Sequence, residues 1–268
     1  MASFWKLVQN ENMKIYRRVS TWIMLGITVA IPLLVTIIFG LVAEDNNANN
    51  WGAMMTESEI LFLLVMIFSV VKSAESVAGE FSRGTIKLLL IRPWSRASIL
   101  LSKFIAILLF ALLFTAVSFA VTWLANVLAF GYTAHPDSLI PSQSPLAGSS
   151  PWLFMLRYYL DEFIVLAVVV SFGFMLSAAF RSSGLAIGLS LFLLFAGSMI
   201  TGLLMLADQA WIKFVLFPHL GLTTYLNGSV PLSDYPTTYA FSLGVLAVYF
   251  IVFNAVSWTA FIKRDVSA

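Results

Sequence analysis

Six long apolar runs, each bounded by short polar or charged stretches, set the reading of this chain. They cover approximately residues 21–42, 60–79, 103–130, 160–180, 184–207 and 238–262. Each is near the roughly 20 residues that a helix needs to cross the hydrocarbon of a bilayer. The alternation predicts an all-α polytopic membrane protein with six transmembrane helices and a single transmembrane domain over 1–268. The third run is long enough to tilt or to extend past the bilayer. The fourth and fifth are separated only by Arg181-Ser182-Ser183-Gly184. Gly188, Gly197 and Gly202 leave a bent or re-entrant fifth segment as the alternative to a full span. Ahead of the first run, apolar positions 4, 8, 15 and 19 fall on one helical line, and Lys6, Lys14, Arg17 and Arg18 lie off it. Residues 1–20, with Phe4 and Trp5 on the apolar side, are therefore expected to form an interfacial amphipathic helix. Its cations would meet anionic membrane lipids. The alternative is a disordered basic tail.

Composition sharpens the class. Of 268 residues 60% are hydrophobic and 10% charged, and mean hydropathy is +0.93; soluble domains carry about 25% charged residues. The first apolar run is too long for a signal-peptide core of about 7–15 residues and is read as a retained first helix. With both termini inside, 13 of the 15 basic residues fall on the inner side, and only Arg157 and Lys213 fall outside. That asymmetry orients the chain with N and C termini cytoplasmic, in a multi-pass cell membrane protein of the bacterial cytoplasmic type. Trp51, Trp152, Tyr158, Tyr159, Trp211 and Tyr239 cluster near predicted outer boundaries and Trp22 and Trp258 near inner ones, as in interfacial aromatic belts.

Several chemistries lack their residues. There is no cysteine, hence no disulfide, thiolate metal site or thiol nucleophile. His135 and His219 lie far apart, and no serine has a His and acid beside it in sequence, so neither a metal site nor catalysis is expected of this chain. No Gly-x-x-x-x-Gly-Lys-Ser/Thr loop for nucleotide phosphates is present. On the expected boundaries no ionisable residue lies in the middle of a span, and this disfavours proton-coupled transporters and pumps, which need such groups. Asn126 and Asn254 are explained by helix-to-helix hydrogen bonds. Two outer loops differ. Residues 131–157 are rich in Pro, Ser and Gly and predict an irregular cap. Residues 208–237, with Trp211, Phe214 and Phe217 interrupted by Pro218 and Gly221, predict short helices dipping into the outer leaflet.

The interval 72–103 concentrates charge: Lys72, Arg83, Lys87, Arg92, Arg96 and Lys103 are six of the fifteen cations. It predicts two helical pieces on the inner face, joined at Gly84 and stopped at Pro93, with Ser95 capping the helix that enters the third span. Within it, Ala78-Gly79-Glu80-Phe81-Ser82-Arg83-Gly84-Thr85-Ile86-Lys87, followed by Arg92-Pro93 and Ser95-Arg96, resembles the Glu-Phe-x-x-Gly-Thr signature of ABC type-2 permeases, the membrane subunits of ATP-driven exporters.

The resemblance implies a coupling helix between the second and third spans, with Glu75, Glu80, Phe81, Arg83, Gly84, Thr85 and Lys87 contacting a cytosolic ABC ATPase. It implies an N-terminal helix beside that ATPase (Phe4, Trp5, Lys14, Arg17, Arg18) and an outer gate around Trp211, Phe214, Phe217, Pro218 and Gly221. ATP and Mg would be bound by the partner and no cofactor by this chain. The transport unit would hold a second permease subunit, identical or not, and no nucleic acid. Cargo would be hydrophobic or amphipathic, such as a peptide antibiotic, a drug or a lipid-like molecule. A membrane scaffold or sensor that binds a cytosolic protein, and a secondary transporter, are the rival readings.

Overall fold

The computed structural model describes residues 4–42, 49–86, 94–134, 139–206, 209–232 and 235–263. Every regular element among them is helical: α1 (Phe4–Tyr16), α2 (Val19–Val42), α3 (Asn50–Ser82), α4 (Arg96–Phe130), α5 (Pro151–Ala179), α6 (Ser183–Met205), the short α7 (Leu216–His219) and α8 (Tyr239–Ile262), with 3-10 turns at Ala210–Phe214 and Leu222–Asn227. Five helices are long and apolar enough to cross a membrane, and six if α6 is one broken span. The chain is a multi-pass membrane protein.

Helix starts follow capping chemistry. Asn49, Ser95, Ser150, Ser182 and Thr238 each accept a bond from a backbone N–H three residues on, and Pro151 occupies the first helical position, where its missing N–H costs nothing. These caps lengthen three spans beyond the apolar runs. α3 begins at Asn50, not near 60; α4 at Arg96, not 103; α5 at Pro151, not near 160. Glu57, Glu59 and Arg157, which lie outside the apolar runs, therefore stand on helices, and Asp161 and Glu162 lie about three turns inside α5 where the run has them at its end.

The correction has a depth to it. Between Glu59 and Lys72 only residues 60–71 of α3 are uncharged, about 20 Å at 1.5 Å per residue. The hydrocarbon is about 30 Å thick, so at least one charged flank of α3 reaches hydrocarbon depth. The fold shelters those flanks: Glu57 is buried, accepting from Thr36 of α2 at 2.7 Å and from Asn126 of α4 at 2.6 Å. Spans α2, α6 and α8 carry no charge, as expected.

α3 is the hub. It packs on α2, α4, α5 and α6, while α8 lies on α5 and α1 on α4. The α3 to α5 contact is a seam of small residues. A Cβ on Gly173 would collide with Ser73 Oγ, and Ser177 Oγ accepts from the backbone N–H groups of Val77 and Ala78 at 2.9 and 3.0 Å. Without water to drive apolar association, such close backbone approach and hydrogen bonding hold membrane helices together. Around the seam, Val65, Phe104, Ile107, Phe110, Phe114, Leu166, Val170 and Phe174 form the core.

α6 resolves its alternative toward bending. Ser183–Gly197 and Met199–Met205 meet at 47°. The Phe217 ring occupies the place of a Gly197 side chain, 2.9 Å from where its Cβ would sit, and Thr201 Oγ1 bonds back to the Gly197 carbonyl at 2.9 Å. Both favour a bend at that point. The aromatic belt also needs correction at its outer end. Trp51, Tyr158 and Tyr159 are buried and stack with Phe62 and Trp152 in a second core cluster, with Trp51 donating to the Thr133 carbonyl at 2.7 Å. Aromatic stacking with a satisfied N–H makes that burial favourable.

Candidate functional site at the charged end

Three elements that are distant in sequence meet where α1, the last turns of α3 and the first turns of α4 come together. Lys103 of α4, with 4% of its side chain exposed, donates to Glu11 of α1 at 2.8 Å and to Glu80 of α3 at 3.1 Å. Lys14 bridges the same two carboxylates at 2.8 and 3.2 Å. Arg18, in the link between α1 and α2, reaches Glu75 at 2.5 Å, and Arg83 approaches the same oxygen at 3.6 Å. Arg83 reaches it by lying across Gly79, whose missing side chain leaves room for the guanidinium, and it donates to the Gly79 carbonyl at 2.9 Å.

Glu11 and Lys14 hold each other charged. Burial raises the Glu11 carboxyl, but the ammonium groups of Lys103 and Lys14 outweigh it and leave its pKa below the ordinary carboxylate value. Burial lowers Lys14, and Glu11 and Glu80 more than restore it, to above the ordinary lysine value. A buried pair holds only if both partners stay and the remaining donors and acceptors are met. Here each carboxylate is shared by two cations, so the cluster locks α1 to α3 and α4.

Where α3 ends, the chain turns by the geometry that glycine allows. Gly84 has φ +70°, and its N–H donates to Phe81 O while Thr85 N–H donates to Glu80 O, each at 3.0 Å. These are the two bonds of a Schellman helix stop with glycine in the left-handed position. The Thr85 hydroxyl also donates to the Glu80 carboxylate.

The expected site residues are thus partly united and partly separated. Glu75, Glu80, Arg83, Gly84 and Thr85 fall together with Lys14 and Arg18, and Phe81 packs against the core beside them. Glu75 to Ser82 is the end of α3 itself, where a separate helix was expected. Lys87 lies outside the described residues. Lys14 and Arg18 turn inward to carboxylates where headgroup contacts were expected, and Trp5 and Arg17 remain exposed. Two members escaped the sequence reading: Glu11, and Lys103 as its partner. Glu11 stands three residues before Lys14 on one helix face, a local signal, but its pairing with Lys103 spans 92 positions.

At the far end, the 208–237 region is held by a neutral relay. His219 is buried, and its Nε2 lies 2.8 Å from the Lys213 carbonyl, which only accepts, so Nε2 carries the proton. Nδ1 then accepts from Ser242 at 2.8 Å, Ser242 accepts from Tyr225 at 2.8 Å, and Tyr225 from Thr237 at 2.6 Å. Of the expected gate residues, Pro218 and Phe217 pack inward, and Trp211 and Phe214 are exposed. An apolar cavity of about 180 Å³ lies between α6, α7 and α8, lined by Leu194, Leu216, Phe217 and Tyr249.

Comparison with known proteins assigns the family. Residues 27–267 match DUF2705, described as a protein of unknown function. The chain belongs to this family. It is 37% identical over 229 residues to "Uncharacterized protein YhcI" of Bacillus subtilis (strain 168), covering 84% of this chain and 72% of the relative. It is 29% identical over 257 residues to "Uncharacterized membrane protein YdbK" of the same organism, covering 95% and 99%.

This corrects the resemblance to type-2 permeases. The match that spans the chain is DUF2705, and no type-2 permease family matches. The local likeness coincides with a helix stop: in Glu80-Phe81-Ser82-Arg83-Gly84-Thr85, Gly84 supplies the left-handed residue that the stop uses, and Thr85 bonds back to Glu80.

Proposed function

We propose that this DUF2705 member is the membrane-spanning permease subunit of an ATP-driven exporter, working with a separate cytosolic ATPase and a second permease subunit. The observation that carries the reading is the shared-carboxylate lock at the charged end. It makes α1, α3 and α4 one mechanical unit beside the exposed turn Ser82–Gly84. Force applied to that turn is passed to the hub helix through Glu80 and to α4 through Lys103. In this reading the charged end faces the cytoplasm of a bacterial cell, which the concentration of basic residues there supports. ATP and Mg belong to the partner in this reading. Cargo is hydrophobic or amphipathic, in keeping with the apolar cavity near α7, where Phe217 and the bent α6 would gate the exit.

Gly84→Pro tests the coupling. Proline fixes φ near −65° and cannot adopt the +70° of this turn. The variant is expected to insert normally but to lose co-purification of the ATPase and transport-linked ATP hydrolysis. Unchanged association and coupling would remove the basis of the proposal.

One observation favours a rival. Glu57 is an acid buried between three membrane helices, and such groups serve ion-coupled carriers. Transport by the purified chain alone, driven by an imposed proton gradient and abolished in Glu57→Gln, would select the secondary-transporter reading.

A further inference from the structure

The charged end holds more cations than its carboxylates can match. A cavity of about 50 Å³ opens there, lined among others by Lys72, Glu75, Arg18, Arg83, Lys14 and Lys103. Five cations face the three carboxylates Glu11, Glu75 and Glu80, leaving two positive charges in excess. The surplus is localised. Glu75 serves two guanidiniums with one oxygen, Arg18 at 2.5 Å and Arg83 at 3.6 Å. Lys72, only 5% exposed, has no carboxylate within 4 Å among the described residues and donates only to Ser20 Oγ, at 3.0 Å. A buried ammonium with two free donors and only the more distant Glu75 carboxylate acting on it is costly to keep charged, and an anion in the cavity would offset that cost.

We infer that this cavity is a binding site for a phosphate group, held between Lys72 and the guanidiniums of Arg18 and Arg83. The arrangement suits that ligand. Guanidiniums present paired N–H donors to phosphate oxygens, and an ammonium adds a point charge. The volume, in the measure by which about 10–15 Å³ holds one water, accommodates one tetrahedral group in place of roughly three to five waters. The opening lies beside Arg18 and Arg83, whose side chains are 34% and 49% exposed. A basic pocket at the end of a bundle of membrane helices is a setting in which anionic headgroups are recognised. The same chemistry would take the phosphate of a lipid headgroup or free inorganic phosphate. The site stands independently of the exporter reading.

The test uses the full chain in neutral detergent. Its thermal unfolding midpoint is followed during titration with short-chain phosphatidylglycerol, with inorganic phosphate, and with chloride at matched ionic strength. Saturable stabilisation by phosphatidylglycerol or phosphate beyond chloride is expected. Lys72→Gln and Arg83→Gln should each raise the half-saturating concentration roughly fivefold, the equivalent of about 1 kcal/mol per cation, while Arg17→Gln should not. Should Lys72→Gln fail to fold, Arg83→Gln alone decides, because that side chain is half-exposed and its removal leaves the Lys103 pairs intact. Response to the lipid only identifies a headgroup site; response to both identifies a phosphate site open to either source. Stabilisation no greater than that of chloride, or unchanged half-saturation in the variants, overturns the inference.

Discussion

The two ends of the helix bundle are fastened by different chemistry. At the charged end, ammonium and guanidinium groups share carboxylates between α1, α3 and α4. At the other end, a relay of uncharged groups from Thr237 through Tyr225 and Ser242 to His219 ties the short helices to α8. An ionic lock survives ordinary changes of pH but fails badly when one partner is lost. A neutral relay loses less when broken, but it contains a group that titrates near physiological pH. The end with the stiff lock is the one proposed to receive force. The end with the milder, pH-sensitive fastening surrounds the apolar cavity proposed as an exit.

The largest expected effect separates the two directly. Lys103→Met removes the ammonium that joins Glu11 and Glu80 and leaves the two largely buried carboxylates with Lys14 as their one remaining close cation. A loss of about 3–5 kcal/mol is expected, read as a lower unfolding midpoint and as proteolytic release of the α1 segment. Ser242→Ala breaks the relay at its centre, leaving the His219 Nδ1 and Tyr225 hydroxyl without their partner. It should cost about 1–3 kcal/mol, with protease sensitivity confined to 208–237.

Acid should discriminate between the ends without mutation. Burial holds the His219 pKa below its ordinary value, with the bond to the Lys213 carbonyl opposing only in part. The folded chain therefore resists a proton that the unfolded chain accepts. The relay's contribution is complete above the ordinary histidine value of about 6.5 and is lost as pH falls below it. Glu11 is also depressed, so its contribution persists until the carboxylate range, and Lys14 is raised, so its contribution lasts until the pH passes the ordinary lysine value. Hydrogen exchange at pH 5.5 should show opening at 208–237 and none at α1; opening of both together would refute the separation. The smallest effect is Gly84→Ala, about 1 kcal/mol for a side chain in the left-handed region, measurable as a slight drop in unfolding midpoint with α1 protection unchanged.

Much of this architecture was legible in the sequence. The apolar runs announced the helices, Ser95 its cap, and Gly84 the break after α3. What was not legible has a common cause. The first three turns of α3 and α5 carry Glu57, Glu59 and Arg157, with Asp161 at the very edge of the apolar run, and charge ahead of such a run reads as loop unless its partner is known. Those partners, Thr36 and Asn126 for Glu57 and Tyr239 for Asp161, stand 21 to 78 positions away. The same holds at the candidate site: Lys14 and Arg18 were legible as cations of an amphipathic helix, but their turn toward Glu80 and Glu75 is set by how α1 folds back on α3 and α4. The Glu80 to Thr85 run misled in the opposite sense, since a local helix stop produced a likeness to another family.

In the proposed exporter, the charged end passes movement from a cytosolic ATPase to α3 and α4. The most direct measurement is affinity purification of the tagged chain from its native membrane in mild detergent with nucleotide present, followed by identification of the co-purifying proteins. The account predicts an ATPase near one-to-one stoichiometry, lost in Gly84→Pro. Recovery of the chain without an ATPase, with the fold intact by its unfolding midpoint, would contradict it.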